Sequence, residues 1–309
     1  MKSSLVGIEI GGTKLQVVMG DASLRIGRRW RFPVDAARGR EQICEQLEPC
    51  LHEIRSAGTV AGAGIGFGGP VDWSTGVVAR SHQVEGWSGF PLGEWIAHEG
   101  GWPVRVDNDA NVAALGESRS GAGQGRSPVL YVTLGSGVGG GLTVGGRIYH
   151  GAKPGEMEIG HVRLDRKGAT VESRCSGWAV DARARAARQA HPESALARQT
   201  AGAQGGEARL LPAALAAGDA AAREIWAQLV DDLAFGLSHA VHLAHPELVV
   251  LGGGLALIGE PLRLGVAERL QGYIMDVFRP GPRVELARLG EDAVPAGALA
   301  LAAEAAGQA

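Results

Sequence analysis

Leu5-Val6-Gly7-Ile8-Glu9-Ile10 runs through Gly11-Gly12-Thr13 into Lys14-Leu15-Gln16-Val17-Val18-Met19. Both apolar segments are rich in β-branched residues and bounded by glycine, so the stretch reads as strand, tight turn, strand. The plan recurs at Val129-Leu130-Tyr131-Val132-Thr133-Leu134, which enters a glycine cluster ending at Gly141 and continues as Leu142-Thr143-Val144. A strand that ends in a glycine hairpin, used twice, predicts two domains built on related plans and facing each other.

Between the two hairpins the first domain fills in. Residues 38–57 carry Ile43, Leu47, Leu51 and Ile54 at helical spacing, and 61–67 read as a buried strand running into Gly68-Gly69-Pro70. A short helix near 92–98, a strand at 103–106 and a helix over 109–117 complete an α/β domain. After a polar break at 120–127, the second half is helix-rich, with helices predicted at 178–190 and 219–244. A strand at 248–251 leads into Gly252-Gly253-Gly254, and a helix over 295–306 closes the chain. The mainly polar stretch 192–208 is expected to be a mobile loop.

Composition narrows the function classes. With 309 residues, 45% hydrophobic content and a net charge of −3, the chain is an ordinary globular protein. A pI near 6.3 gives no broad basic face, so neither nucleic acid nor an anionic membrane is expected as a partner. Cys44, Cys50 and Cys175 form no C-x-x-C pair and signal neither a disulfide framework nor a thiolate site. No signal peptide or spanning segment is legible, so a cytoplasmic location is expected. The 49 glycines cluster at strand ends, where backbone must approach a ligand closely.

Gly135, Gly137 and Gly140 spell a formal G-x-G-x-x-G, but the Rossmann motif needs a helix next, and Leu142-Thr143-Val144-Gly145-Gly146 alternates like a strand. A hairpin that exposes backbone N–H groups can still hold phosphate oxygens. Two such hairpins, one carrying Thr13 and Lys14, point to a nucleotide phosphate clamp. Asp107-Asn108-Asp109-Ala110-Asn111 follows a strand and opens a helix; one aspartate is expected to cap it, Asn111 to face inward, and Asp109 to act as a general base. His239, His242 and His245 are poor metal ligands, because the outer two point roughly 240° apart on a helix. The arginine run at 25–31 reads as a solvated edge strand.

Taken in order, these motifs resemble the ROK family (repressor, open reading frame, kinase) of the actin/hexokinase-like superfamily. The resemblance covers nearly the whole chain: Gly7 to Lys14, Gly64 to Asp72, Asn108-Asp109-Ala110-Asn111 with Ala114 to Glu117, Leu134 to Gly141, Glu158-Ile159-Gly160-His161 and Gly252-Gly253-Gly254. It implies an α/β fold of two ribonuclease H-like domains with mixed sheets around an interdomain cleft. The expected division is 1–118 plus about 295–309 against 119–294.

The resemblance implies an ATP-dependent kinase that phosphorylates a hydroxyl, the 6-OH, of a hexose or N-acetylhexosamine, with Asp109 as base. Gly69, Asn108, Glu158, His161 and Glu172 would meet the sugar. Gly11, Gly12, Thr13, Lys14, Gly135, Ser136 and Gly137 would meet the ATP phosphates, Gly253 the adenosine, and Glu9 would hold Mg²⁺ through water. A homodimer is implied as well.

Three departures stand out. Members of the family commonly follow Gly160-His161 with a cysteine cluster that binds structural zinc, whereas 162–171 contain no cysteine, so no zinc is expected. Gly68 stands where a proline is usual, and Gln83 where asparagine is. The alternative reading is a catalytically idle, sugar-binding regulator, although the family's repressors carry an N-terminal helix-turn-helix and the phosphate loop here starts at residue 9. An acyl kinase on the same fold would leave Glu158 and Glu172 without a role.

Overall fold

The computed structural model describes residues 4–80, 84–153, 155 and 157–307. β1 (Ser4–Ile10) and β2 (Leu15–Gly20) form the expected hairpin, with Glu9 opposite Gln16. β3 (Ile26–Phe32) extends it at the sheet edge, where Arg28 reaches Glu53 and lies over the Trp30 ring. α1 (Gly39–Ala57) supplies the crossover that parallel pairing requires, and β4 (Val60–Phe67) then lies parallel to β1. The predicted face of α1, Ile43, Leu47, Leu51 and Ile54, is fully buried, each side chain gaining roughly 1.5–3 kcal/mol on transfer from water.

The short β5 (Val71–Asp72) and β6 (Val77–Val78) and then α2 (Leu92–Gly100) lead to β7 (Val104–Asn108), parallel to β4. The first sheet is ordered β3-β2-β1-β4-β7. α3 (Asp109–Ser120) follows β7 directly.

β8 (Val129–Leu134) turns into β9 (Val138–Val144), so the second glycine cluster feeds a strand and not a Rossmann helix. Gly145 and Gly146, at φ 59° and 71°, make the two-residue turn to β10 (Arg147–Ile148), a geometry with both central residues left-handed that suits glycine. Helices α4 (Val171–Cys175), α5 (Gly177–Ala190), α6 (Ala195–Gln199), α7 (Leu211–Ala216) and α8 (Ala220–Ala244) precede β11 (Leu248–Gly252). α9 (Glu260–Leu270), β12 (Arg283–Leu286) and α10 (Ala293–Ala305) complete the chain.

The chain forms two compact units, one of 1–127, 141–157 and 288–309, the other of 128–140 and 158–287. In the second, β8, β11 and β12 run parallel, with Gly252 beside Thr133. The expected mobile loop at 192–208 is instead folded: it contains α6, capped by Ser194, and Arg188 donates to the carbonyl of buried Thr200. Asp181 then fixes its end by accepting the N–H groups of Gly206 at 2.9 Å and Ala208 at 2.7 Å. These anchors are single polar contacts distant in sequence, which leave no periodic signal.

The first unit closes on α10, whose residues from Pro295 to Ala303 are all buried. A helix apolar on every side belongs inside a protein. Glycine lets it approach: a Cβ on Gly64 would stand 2.1 Å from the Ala298 carbonyl oxygen, one on Gly116 2.2 Å from that of Ala293, and one on Gly297 1.8 Å from that of Val112. Buried Glu117 adds a polar tie, accepting the N–H groups of Ala122 at 2.7 Å and Leu289 at 2.8 Å.

Candidate active site

In the first unit the parallel register sets Ile10 beside Phe67 and Phe67 beside Asn108. Three motifs therefore leave the sheet at one edge, the carboxyl end of its parallel strands, where open α/β sheets bind ligands. The turn after β1 is closed by the Gly11 N–H donating to the Lys14 carbonyl at 2.7 Å. Gly68, after β4, donates to the Ile10 carbonyl at 2.8 Å. A Cβ on Gly68 would lie 3.3 Å from Gly11 Cα and 3.5 Å from Asp109 Oδ2, so Gly68 neighbours both the Gly11 turn and the Asp109 carboxylate.

Asp109 is half-buried in the first turn of α3, where the helix dipole favours negative charge. The cap itself is not an aspartate, as the sequence suggested, but Asn108. Its extended backbone (ψ 145°) lets Oδ1 accept from Ala110 N–H at 2.9 Å and Asn111 N–H at 3.3 Å. Asn108 Nδ2 donates to the Gly69 carbonyl at 3.3 Å, which joins two of the residues assigned to the sugar. Asp107 is instead buried behind the edge, accepting from Asn108 N–H and from Asn111 Nδ2, both at 2.9 Å, and facing His150 Nε2 at 2.5 Å. Asn111 is wholly buried, as expected.

Glu9 lies at the end of β1 and accepts from Gln16 Nε2 across the hairpin. Burial pushes its carboxyl above the usual 4.5, only partly offset by the Gln16 hydrogen bond and the charge of Lys14. Gln16 in turn accepts from Arg29 at 3.0 Å, and Arg29 pairs with Asp292. Gly12 is half-buried, Thr13 is exposed, and exposed Lys14 reaches Glu291 at 3.5 Å.

In the second unit Gly135, Ser136 and Gly137 make the tight turn between β8 and β9, with Gly135 N–H donating to Gly137 at 2.9 Å and Ser136 exposed at the tip. Gly177 N–H donates to the Gly135 carbonyl at 2.7 Å, bringing the start of α5, capped by Ser176, against this turn. The sequence reading missed this neighbour, although a serine before a long helical pattern was its signal. Glu172 Oε2 accepts the Val138 N–H at 2.9 Å. Gly253 has φ +80°, and a Cβ there would stand 2.6 to 2.7 Å from Leu134 backbone, so glycine is required. Glu158 and His161 flank a 3-10 turn whose Gly160 packs on the Val138 carbonyl; both are exposed, with His161 Nε2 3.8 Å from Glu158.

Gln83 lies outside the described residues. Its neighbour Trp87 is buried edge-on to Phe67, with ring centroids 5.1 Å apart, and supports the end of β4.

The donor set around 162–171 does not fit zinc. Val171 N–H donates to Val162 and Leu164 N–H to Ala169, so the segment is a self-closed hairpin. Its turn is held by Asp165 Oδ1, which accepts from Lys167 at 2.7 Å, Gly168 at 2.8 Å and Ala169 at 3.1 Å. The nearest thiol in sequence, Cys175, is fully buried against α8, and desolvation pushes it up to about 12, which disfavours the thiolate that zinc needs. The three helix histidines sit in aromatic and backbone contacts: His239 lies edge-on to Phe235 at 4.9 Å, His242 Nε2 accepts from Met275 N–H at 3.2 Å, and His245, at the helix end with φ 41°, stacks on Phe278.

The family model described as "ROK family" matches residues 5–305. The chain is 30% identical over 302 residues to a glucokinase of Halalkalibacterium halodurans, covering 93% of this chain and 91% of that one. A solved ROK family glucokinase from Streptomyces griseus, in complex with glucose and AMPPNP, superposes with a TM-score of 0.82 at 30% identity over 98% of this chain and all of that one. A putative xylose repressor of a Caldicellulosiruptor species is 26% identical over 96% of this chain and 77% of its own length. With its two mixed sheets in two compact units and a family match from near one end to the other, the chain belongs to the ROK family and has the two-domain actin/hexokinase-like fold.

Proposed function

We propose that the chain is an ATP-dependent sugar kinase that transfers the γ-phosphoryl group to the 6-OH of a hexose or N-acetylhexosamine. The observation that carries this reading is Gly68, at the carboxyl edge of the first sheet, neighbouring both the Gly11 turn and the Asp109 carboxylate. In the reaction the sugar oxygen bonds to the γ-phosphorus, the bond to the β-phosphate oxygen breaks, ADP leaves, and Asp109 accepts the hydroxyl proton. Such transfer asks for alignment and charge stabilisation more than covalent help.

The backbone N–H groups of Gly11 to Lys14 and Gly135 to Gly137 bind the phosphates, and Gly253 lies along the adenosine. Mg²⁺, when bound, would neutralise phosphate charge; Glu9 would hold it through water, its carboxylate positioned by Gln16. Glu158, Glu172, His161 and Asn108, with the Gly69 loop, read the sugar hydroxyls, since ionised carboxylates are strong acceptors. The chain divides into two compact units as the two-domain reading expects, but 119–127, 141–157 and 288–294, expected in the second domain, belong to the first unit. We propose further that the enzyme is a cytoplasmic homodimer without zinc.

A coupled ADP-release assay with Mg-ATP tests the reading. The panel is glucose, fructose, mannose, allose, N-acetylglucosamine and N-acetylmannosamine, with Asp109→Asn as control. Loss of a general base costs about 10²–10⁴-fold in turnover. Turnover on one sugar that falls by that factor in the variant supports the proposal, and near-normal turnover in the variant overturns the role of Asp109. Sugar binding without turnover across the panel favours the regulatory reading, which rests on the likeness to the putative xylose repressor.

A further inference from the structure

A cavity of about 300 Å³ opens in the first unit, walled by β7, β10, the β5–β6 turn and α10. None of its walls is a residue assigned to the sugar or the nucleotide. Its floor is apolar, from Val106, Ile148 and Leu301. Its charged walls are unevenly partnered. Asp107 is satisfied by the Asn108 N–H, Asn111 and His150, and Glu304 is engaged by Arg119 at 3.3 Å. That leaves Arg105, whose contact with Glu304 is a long 3.9 Å, and Arg147, which has no ion pair among the described residues. Trp73, another wall, stacks on His150 with ring centroids 4.2 Å apart.

We propose that this cavity binds a small organic oxyanion, a phosphate ester or carboxylate with an apolar body, through Arg147 and Arg105. Guanidinium forks match both oxyanions in two-point contact, and the apolar floor takes the remainder of the ligand. The site also has a route to Asp109. Asp107, a wall, receives both the Asn108 N–H and the Asn111 side chain, so a ligand that orders the Asp107 and His150 pair steadies the first turn of α3. Control of phosphoryl transfer by that route rests on the function proposed above; binding does not.

The test is calorimetric titration of the whole protein with inorganic phosphate and with benzoate, against their neutral counterparts glycerol and benzyl alcohol. Arg147→Ala and Arg105→Ala are titrated in parallel; both side chains are exposed, so the variants fold. The expected result is saturable binding of at least one anion, weakened about tenfold in Arg147→Ala, with no binding of the neutral compounds. Which anion binds separates a phosphate from a carboxylate ligand. Phosphate binding that persists undiminished in both variants belongs to the glycine turns and overturns the proposal, as does no saturable binding of either anion. Hydrogen exchange reads the coupling without turnover: the Ala110 and Asn111 amides should slow with the bound anion, and unchanged exchange overturns the link to α3.

Discussion

Glu172 Oε2 accepts the backbone N–H of Val138 at 2.9 Å and occupies the space a Cβ on Gly137 would enter, at 2.5 Å. One carboxylate thus braces the Gly135-to-Gly137 turn, proposed above to bind phosphate, and leaves its other oxygen for a ligand. Glu172→Gln keeps an acceptor and should retain the turn with weakened sugar affinity. Glu172→Ala should lose about 1–3 kcal/mol of stability by leaving Val138 unpaired, and should raise the KM for ATP as well as for sugar. Denaturant unfolding alongside steady-state kinetics on the two variants checks this; equal ATP KM values in both would contradict the bracing role.

Asn108 offers a cleaner separation of structure from binding. Serine also caps helices well, so Asn108→Ser should unfold at nearly the native denaturant concentration, whereas Asn108→Ala should lose about 1 kcal/mol. Both lack the amide that reaches Gly69, and both should bind sugar more weakly. Sugar affinity that tracks stability across the pair would reduce Asn108 to a cap alone.

How far the sequence carried this site depends on the kind of signal. The glycine turns and their strands were legible because alternation and glycine boundaries are local, and α3 because its start follows a strand without a break. The identity of its cap was not legible. Asp107, Asn108 and Asp109 are all acceptable caps, and only β7 burying Asp107 toward His150 leaves Asn108 in place. β12 was missed for a related reason, since four residues with only Val284 well buried are too few for a periodic pattern, and its partner β11 is distant in chain.

The raised carboxyl of Glu9 sets a pH dependence. A folded-state value above the usual 4.5 means the native protein holds this proton more tightly than the unfolded chain. The associated stability is complete below the ordinary carboxylate range and is lost as pH rises through the folded value. At neutral pH the ionised group therefore opposes folding. Glu9→Gln should melt higher than the native protein at pH 7, with the gain vanishing in acid, and it should bind Mg-ATP more weakly. A variant that melts lower at pH 7 would contradict the burial argument.

The hairpin at 162–171 makes a prediction about metal. Elemental analysis should find no stoichiometric zinc, and a chelator should leave melting unchanged, because Asp165 does by hydrogen bonding what a metal does elsewhere. Those backbone donors hold the Asp165 carboxyl below its usual 3.8, so its contribution is present above that value and fades as pH falls through the folded one. Asp165→Ala should loosen the neighbouring Glu158 and His161 segment and raise the sugar KM. One zinc per chain would refute the substitution.

The burial of α10 bears on how the protein is made. Gly64, Gly116 and Gly297 admit this helix into the middle of a unit whose other strands and long helices end by Ile148, well over a hundred residues earlier in synthesis. While the ribosome is still synthesising the second unit, the sheet edge that carries Glu9 and Asp109 has an open apolar wall where residues 293–305 will lie. The second unit, contained in 128–287, can consolidate first, and the half of the candidate site that carries Asp109 matures only once residues 293–305 are made. A nascent chain that stalls before residues 293–305 carries its glycine turns but lacks the helix that packs against α3, whose first residue is Asp109.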